Sequence, residues 1–199
     1  MTFALLMRVL FVTALESEAD ACRRAVVSAG ADADVVFTGM GAQSTMDGLQ
    51  KAEASSYDYV IDAGIAGSFT GAPLGAAFAV VDERNGEQPE HVYAAPSNLF
   101  HWLEPVSGLT FQTMTDDPQE TARRKAMGCA VESMEGAAFF DWCQSHEVKN
   151  YAEIRTISNA VGESEMGDWD ISLGLESLFR ESRRFLEEYC GSNKNRESI

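Results

Sequence analysis

The sequence predicts an α/β fold: a single three-layer α/β/α domain over residues 1–199, built on a central mixed, mostly parallel twisted sheet. Three observations lead there. Short apolar runs alternate with amphipathic helical segments along the chain, the pattern of strand–helix–strand units. The run Tyr59-Val60-Ile61-Asp62-Ala63 is almost continuously apolar, as in strands covered on both faces. Glycines, polar residues and a carboxylate gather just past predicted strand ends, at Gly39-Met40-Gly41, Gly64 to Phe69, Glu135 and Ser158-Asn159. That is the rim where open α/β sheets hold ligands.

Composition narrows the function classes. A chain of 199 residues, 45% of them hydrophobic, can bury a core without staples. Fifteen basic against 31 acidic residues leave a net charge of −16. That field repels phosphate backbones and anionic bilayers, so no nucleic-acid or membrane partner is expected. Cys22, Cys129, Cys143 and Cys190 are scattered, with no CxxC and no paired histidines. Neither a disulfide framework nor a metal site is expected, and no cofactor. The opening MTFALLMRVLFVTAL resembles a signal sequence, but Arg8 interrupts it and LESEAD stands where a cleavage site belongs. A cytoplasmic location is the expectation.

The elements follow in order. Arg8 to Thr13 reads as a buried first strand, with residues 1–6 a loose extension and Met7 an alternative start. A helix opens over Ala14 to Glu18, faces inward through Ala19, Cys22, Val26 and Ala29, and stops at Gly30. Asp34 to Thr38 is a second strand, ending in the glycine-flanked turn 39–41. The next helix carries Ala42, Thr45, Met46, Leu49 and Ala52 on one face. Tyr59 to Ala63 is a third strand that exits through Gly64-Ile65-Ala66-Gly67-Ser68-Phe69. Gly75 to Val81 is β-like, and Asp82 to Leu99 reads as a loop. Leu109 to Met114 reads as a strand. Asp117 to Met127 is a helix opened by Asp116 or Asp117 with Pro118. Gly128 to Val131 is a strand turning directly into a helix that faces inward through Met134, Ala137, Ala138 and Trp142, with Asp141 at the margin of that stripe. Tyr151 to Ile157 is a strand, and Ile171 to Cys190 the last helix. Gly191 ends it, and residues 192–199 read as a loose tail.

The densest stretch is Val131 to Phe140, VESMEGAAFF. Glu132 and Glu135 stand three apart at a strand-to-helix turn, followed by residues small enough for close helix–sheet packing. Carboxylates here either cap the helix or point into a cleft and accept hydrogen bonds from vicinal hydroxyls. The residues alone leave both readings open. Glu16 and Glu18 present the same choice after the first strand, where only one can easily face the rim. The glycine turns match neither a Walker loop nor the dinucleotide fingerprint. His91, His101 and His146 lie in polar contexts and form no catalytic set. What remains is a metal-free rim bearing Glu18, Glu135, glycine backbone donors and the Asn159 amide. Such carboxylates suit glycosidic-bond cleavage, where one activates water and negative charge stabilises an oxocarbenium-like transition state.

The ordered set ALESE, GMG, DAGIAGSF, VESMEGAA and RTISNAVGE resembles the purine-nucleoside phosphorylase/nucleosidase superfamily over about Val9 to Leu178. Within it the likeness is greatest to the futalosine hydrolases of the alternative menaquinone pathway. ESMEGAA, ISNAVG in place of the ISD of adenine-specific nucleosidases, and Trp169 with Ile171 carry that likeness. The resemblance implies hydrolysis of futalosine with release of hypoxanthine, and a homodimer or larger homo-oligomer. It implies that Glu18 activates water and that Gly67, Ser68 and Ser158 meet base and sugar. Met134 would underlie the ribose, Glu135 bind its hydroxyls, and Asn159 contact N7 or O6 of the purine. An amide can donate to O6 without setting a buried charge against a carbonyl oxygen. Phe111 and Met114 are the candidates for stacking on the base, and Arg84 and Arg155 for the carboxylate at the far end of futalosine. The segment from Asp82 to Leu109 is short for the superfamily. An adenine-releasing nucleosidase of methylthioadenosine/S-adenosylhomocysteine or aminodeoxyfutalosine, a phosphorylase and a non-catalytic nucleoside binder are the competing readings.

Overall fold

The computed structural model describes residues 7–162 and 169–190. The expectations placed on residues 1–6, on Gly191 as the end of the last helix and on residues 192–199 lie outside that range. Eight strands and five helices follow one another as β1 (Val9–Thr13), α1 (Glu16–Ala29), β2 (Ala33–Phe37), α2 (Ala42–Lys51), β3 (Tyr59–Ser68), β4 (Ala77–Asn85), β5 (Val92–Ala94), β6 (Glu104–Thr110), α3 (Pro118–Lys125), β7 (Val131–Ser133), α4 (Gly136–Ser145), β8 (Tyr151–Ala160) and α5 (Ile171–Tyr189). One sheet holds every strand among the described residues, and it is mixed and mostly parallel.

The layers follow from period-two alternation. In β1, Val9 and Phe11 face α1 and α5, joining Cys22, Ile61, Ile154 and Phe185 in one core. Leu10 and Val12 face the opposite way, joining Leu49, Val60, Phe139, Phe140 and Tyr151 beneath α2 and α4. All five residues of β1 are buried, as a strand covered on both faces must be.

The sheet is not an open one. β3 pairs with β8, β8 with β4, β4 with β6, β6 with β7, and β7 returns to β3. These five strands close a small barrel, with β1 and β2 extending from β3 and β5 flanking β4. Several boundaries therefore move from their expected places. β3 does not exit at Ala63 but runs to Ser68, because β8 and β7 pair with the stretch that holds its glycines. Glycine inside a strand marks close approach by a neighbour as readily as a turn. β8 continues to Ala160, and β4 continues to Asn85 through the expected loop, which also holds β5. β6 lies earlier than expected, and residues 111–117 are irregular. Because β7 covers only Gly108 to Thr110 of β6, the first half of β6 is an edge on that side, where Pro105 is tolerated. Asp141 is exposed, not inward-facing.

Candidate active site

Glu18 sits at the third position of α1 and is buried to 2% exposure. Its Oε2 accepts from the backbone N–H groups of Ala14 (3.1 Å) and Leu15 (2.8 Å), and its Oε1 from Ile65 N–H (2.8 Å). The same carboxyl thus closes the first turn of α1 and joins β3 to it. Gly64 makes this approach possible, since a methyl there would lie 2.9 Å from Glu18 Oε1 and strike the Arg155 guanidinium. Burial pushes the Glu18 carboxyl up to about 7, against the pull of Arg155 and the backbone donors. Glu16, its neighbour in the sequence, is exposed and pairs with Arg23 at 2.7 Å.

Glu135 is the N-cap residue of α4, yet its side chain caps nothing. Instead Oε1 accepts from Gly41 N–H at 2.9 Å and Oε2 from Met134 N–H at 3.3 Å. The start of α4 is satisfied otherwise: Gly136 N–H donates to Ser133 Oγ (3.2 Å) and Ala137 N–H to Thr110 Oγ1 (2.8 Å). Gly41 holds a φ of 87°, which a side chain would strain, and this conformation aims its N–H at the carboxylate. Gln112 staples the arrangement. Its Oε1 accepts from Ala42 N–H (2.9 Å) and its Nε2 donates to Met134 O (3.1 Å).

Arg155, 1% exposed on β8, stands behind both carboxylates. It pairs with Asp62, donates from Nε to Glu153 at 2.6 Å, and lies 3.9 Å from Glu135 Oε2. A lone arginine within the apolar strand YAEIRTIS is the sequence signal for this centre.

Asn159 reaches the same space through an irregularity. Ala66 pairs with Ile157 but Gly67 pairs with Asn159, so Ser158 is an extra residue on β8. A bulge of this kind re-aims the side chains beyond it. Ser158 Oγ donates to Asn159 Oδ1 (2.9 Å), and Asn159 Nδ2 donates to Ala160 O (2.9 Å). A methyl on Gly67 would lie 3.3 Å from Asn159 Nδ2 and 2.8 Å from Val161 Cγ2, so only glycine leaves room there.

These groups border one cleft of about 400 Å³. Glu18, Gly67, Met134, Glu135, Ser158 and Asn159 all line it. No family model matches the sequence, and no curated protein matches it. Solved structures do. The 5′-methylthioadenosine nucleosidase of Arabidopsis thaliana superposes with a TM-score of 0.78 at 17% identity, over 94% of this chain and 98% of that one. The 5′-methylthioadenosine/S-adenosylhomocysteine nucleosidase of Helicobacter pylori gives 0.76 at 13%, over 92% and 97%. The futalosine hydrolase of the same organism gives 0.74 at 14%, again over 92% and 97%. The chain has the nucleosidase fold.

Other expected site residues stand elsewhere. Ser68 does not line the cleft; its Oγ accepts from Thr70 and Ala72 N–H and holds the turn after β3. Phe111 is 5% exposed and packs with Phe69, Leu109 and Cys129, beneath the Arg124 guanidinium at 3.9 Å. Met114 does line the cleft and is 70% exposed at its mouth, together with Met40 and Trp169. Arg155 is committed to buried carboxylates, and Arg84 donates to Met127 O (3.2 Å) away from the lining, so neither meets a ligand carboxylate there. Glu132 lines the cleft and pairs with Arg124 at 3.1 Å. Among the described lining residues the charged groups are Glu18, Asp116, Glu132 and Glu135.

Proposed function

We propose that the protein hydrolyses the N-glycosidic bond of a purine ribonucleoside, and that the nucleoside is futalosine, with hypoxanthine the leaving base. The observation that carries the hydrolysis is Glu18: a buried carboxyl, raised to about 7, on the wall of the cleft that Glu135 shares. A general base with that ionisation is matched to neutral pH. Glu18 takes a proton from water, and the water oxygen attacks the anomeric carbon. Glu135 accepts hydrogen bonds from the ribose hydroxyls, while its negative charge favours the positive charge developing on the sugar. The glycosidic electron pair leaves with the base. Asn159 donates one N–H to Ala160 O, and its second N–H is directed to purine N7 or O6.

Water is the favoured nucleophile because a buried carboxylate at Glu18 repels phosphate, and Thr13-Ala14-Leu15-Glu16 carries no cation to hold one. The 6-oxopurine assignment rests on the amide at position 159. A second reading, cleavage of 5′-methylthioadenosine or a similar nucleoside with an uncharged 5′ group, is favoured by the lining. The charged groups among its described residues are four carboxylates, which would repel the carboxylate of futalosine.

Purified protein is incubated with futalosine, inosine and 5′-methylthioadenosine, each with and without phosphate. Phosphate-independent hypoxanthine release from futalosine is the expected result. Adenine release from methylthioadenosine without activity on futalosine establishes the second reading, and no base release from any of them overturns both.

A further inference from the structure

The proposed reaction uses Glu18 and Glu135 but leaves a second set of buried carboxyls unexplained. Glu83 on β4 and Glu153 on β8 are both fully buried. Each has one oxygen engaged: Glu83 Oε2 accepts from Thr110 Oγ1 (2.8 Å), and Glu153 Oε1 from Arg155 Nε (2.6 Å). The other two oxygens, Glu83 Oε1 and Glu153 Oε2, have no donor. They converge on one place. A methyl on Gly136 would sit 2.5 Å from the first and 2.8 Å from the second, so only glycine leaves room for their meeting. Two carboxylate oxygens cannot face each other in a buried site unless a proton lies between them.

We propose that Glu83 and Glu153 share one proton, held on Glu83 Oε1 and donated to Glu153 Oε2, and that this bond is a positioning device for the catalytic carboxylates. Glu153 is the anion because it faces the guanidinium of Arg155; Glu83 has only a neutral hydroxyl and keeps the proton. The bond closes a circuit behind the cleft. Ala137 N–H donates to Thr110 Oγ1, Thr110 to Glu83, Glu83 to Glu153, and Arg155 to Glu153 and Asp62, with Glu135 3.9 Å from the same guanidinium. One end of the circuit thus grips the first turn of α4, whose N-cap is Glu135, and the other fixes the arginine between Glu135 and Glu18. The groups facing the pair are Asp62 from β3, Arg155 from β8, Glu135 at the start of α4, and Cys129 ahead of β7, whose thiol burial pushes up to about 11. Arg155 is the one cation among them. Losing the shared proton sets two buried anions together under Gly136 and drives α4, with Glu135, away from Gly41.

The test reads the proton directly and needs no substrate, so it stands apart from the proposed function, on which only its kinetic arm rests. Full-length protein carrying isotope-labelled glutamate is followed by infrared spectroscopy at about pH 8.5, where Glu18 has ionised. A carboxylic-acid band is expected in the wild type. E83Q, which sets an amide donor beside the Glu153 anion, should lose it. E153Q should keep it at a shifted frequency, because the buried Glu83 stays neutral and now faces an amide. Circular dichroism checks that the variants fold; E83Q tests where the proton is held and E153Q tests what accepts it. In the kinetic arm, E83Q is expected to keep the acid limb of kcat/KM and lose the alkaline limb, because an amide has no proton to give up there. Absence of the band from wild type, its persistence in folded E83Q, or an unshifted band in folded E153Q overturns the shared proton. An unchanged alkaline limb in E83Q overturns the positioning role.

Discussion

Replacing Glu18 by glutamine separates the two consequences of burying a carboxyl at the rim. The group is 2% exposed, and folding raises it from the ordinary 4.5 to about 7. The folded protein therefore holds this proton more tightly than the unfolded chain. Stability is greatest below about 4.5 and is lost as the pH rises towards 7, above which the loss is complete. A shift of that size corresponds to about 3 kcal/mol, of which about 2–3 kcal/mol develops between pH 5 and 8. E18Q does not titrate, so it escapes the loss. It has its own cost, because its NH₂ group cannot accept from whichever backbone N–H it faces among Ala14, Leu15 and Ile65. An orphaned buried donor costs about 1–3 kcal/mol at any pH. E18Q should thus be less stable than wild type at pH 5 and equal or more stable at pH 8. Chemical denaturation at the two pH values gives the difference, and circular dichroism confirms the fold. Turnover on the nucleoside substrate should fall about 10²–10⁴-fold above pH 7, where wild-type Glu18 is ionised, and by less at lower pH, where the wild type has lost its base as well. Wild-type kcat/KM should rise through about pH 7 as Glu18 ionises. A folded E18Q enzyme with near-normal turnover, or a stability difference that does not move with pH, refutes the reasoning.

Further outcomes follow from the same geometry. Glu135→Ala removes the acceptor of Gly41 N–H and the ribose ligand, so kcat/KM should drop about ten- to hundredfold, equivalent to about 1.5–3 kcal/mol; a variant that melts lower yet turns over normally would mean that Glu135 only ties Gly41 to α4 and does not hold the ribose. Asn159→Asp should lower the ratio of kcat/KM for futalosine to that for aminodeoxyfutalosine, because a buried carboxylate facing O6 must repel it or take up a proton; an unchanged ratio means the residue does not read the base. Gly64→Ala should lose about 1–3 kcal/mol of stability through overpacking and should disturb turnover by moving Glu18 off Ile65, measured as melting temperature and rate together. Ser68→Ala should cost about 1 kcal/mol of stability through the lost turn bonds and leave kcat/KM alone, a result that separates it from the cleft.

Much of this architecture is legible in residue order because burial leaves a periodic trace. Alternating sides in Val9 to Val12 and the apolar face of Ala19, Cys22 and Val26 determine which segments are strands and helices and how they layer. The placement of Glu18 and Glu135 just past strand ends likewise follows from local pattern, since such ends converge on one rim, whereas Asn159 lies inside β8 and reaches the rim through its bulge. What the pattern leaves out is long-range pairing. The closure of β3, β8, β4, β6 and β7 into a barrel depends on which edges meet, and no local period records that. Glycines 64 and 67 read as a turn from composition, yet they are strand residues kept small by Arg155, Glu18 and Asn159 approaching from other elements. Whether Glu135 caps its helix was likewise open until Gly41, 94 residues away, supplied the competing donor. Gln112 as a staple, Ser68 as a turn residue and the Glu83–Glu153 pair belong to the same class. Each is set by a short-range force, a hydrogen bond or a steric contact, acting between side chains and backbone that only the folded chain brings within reach.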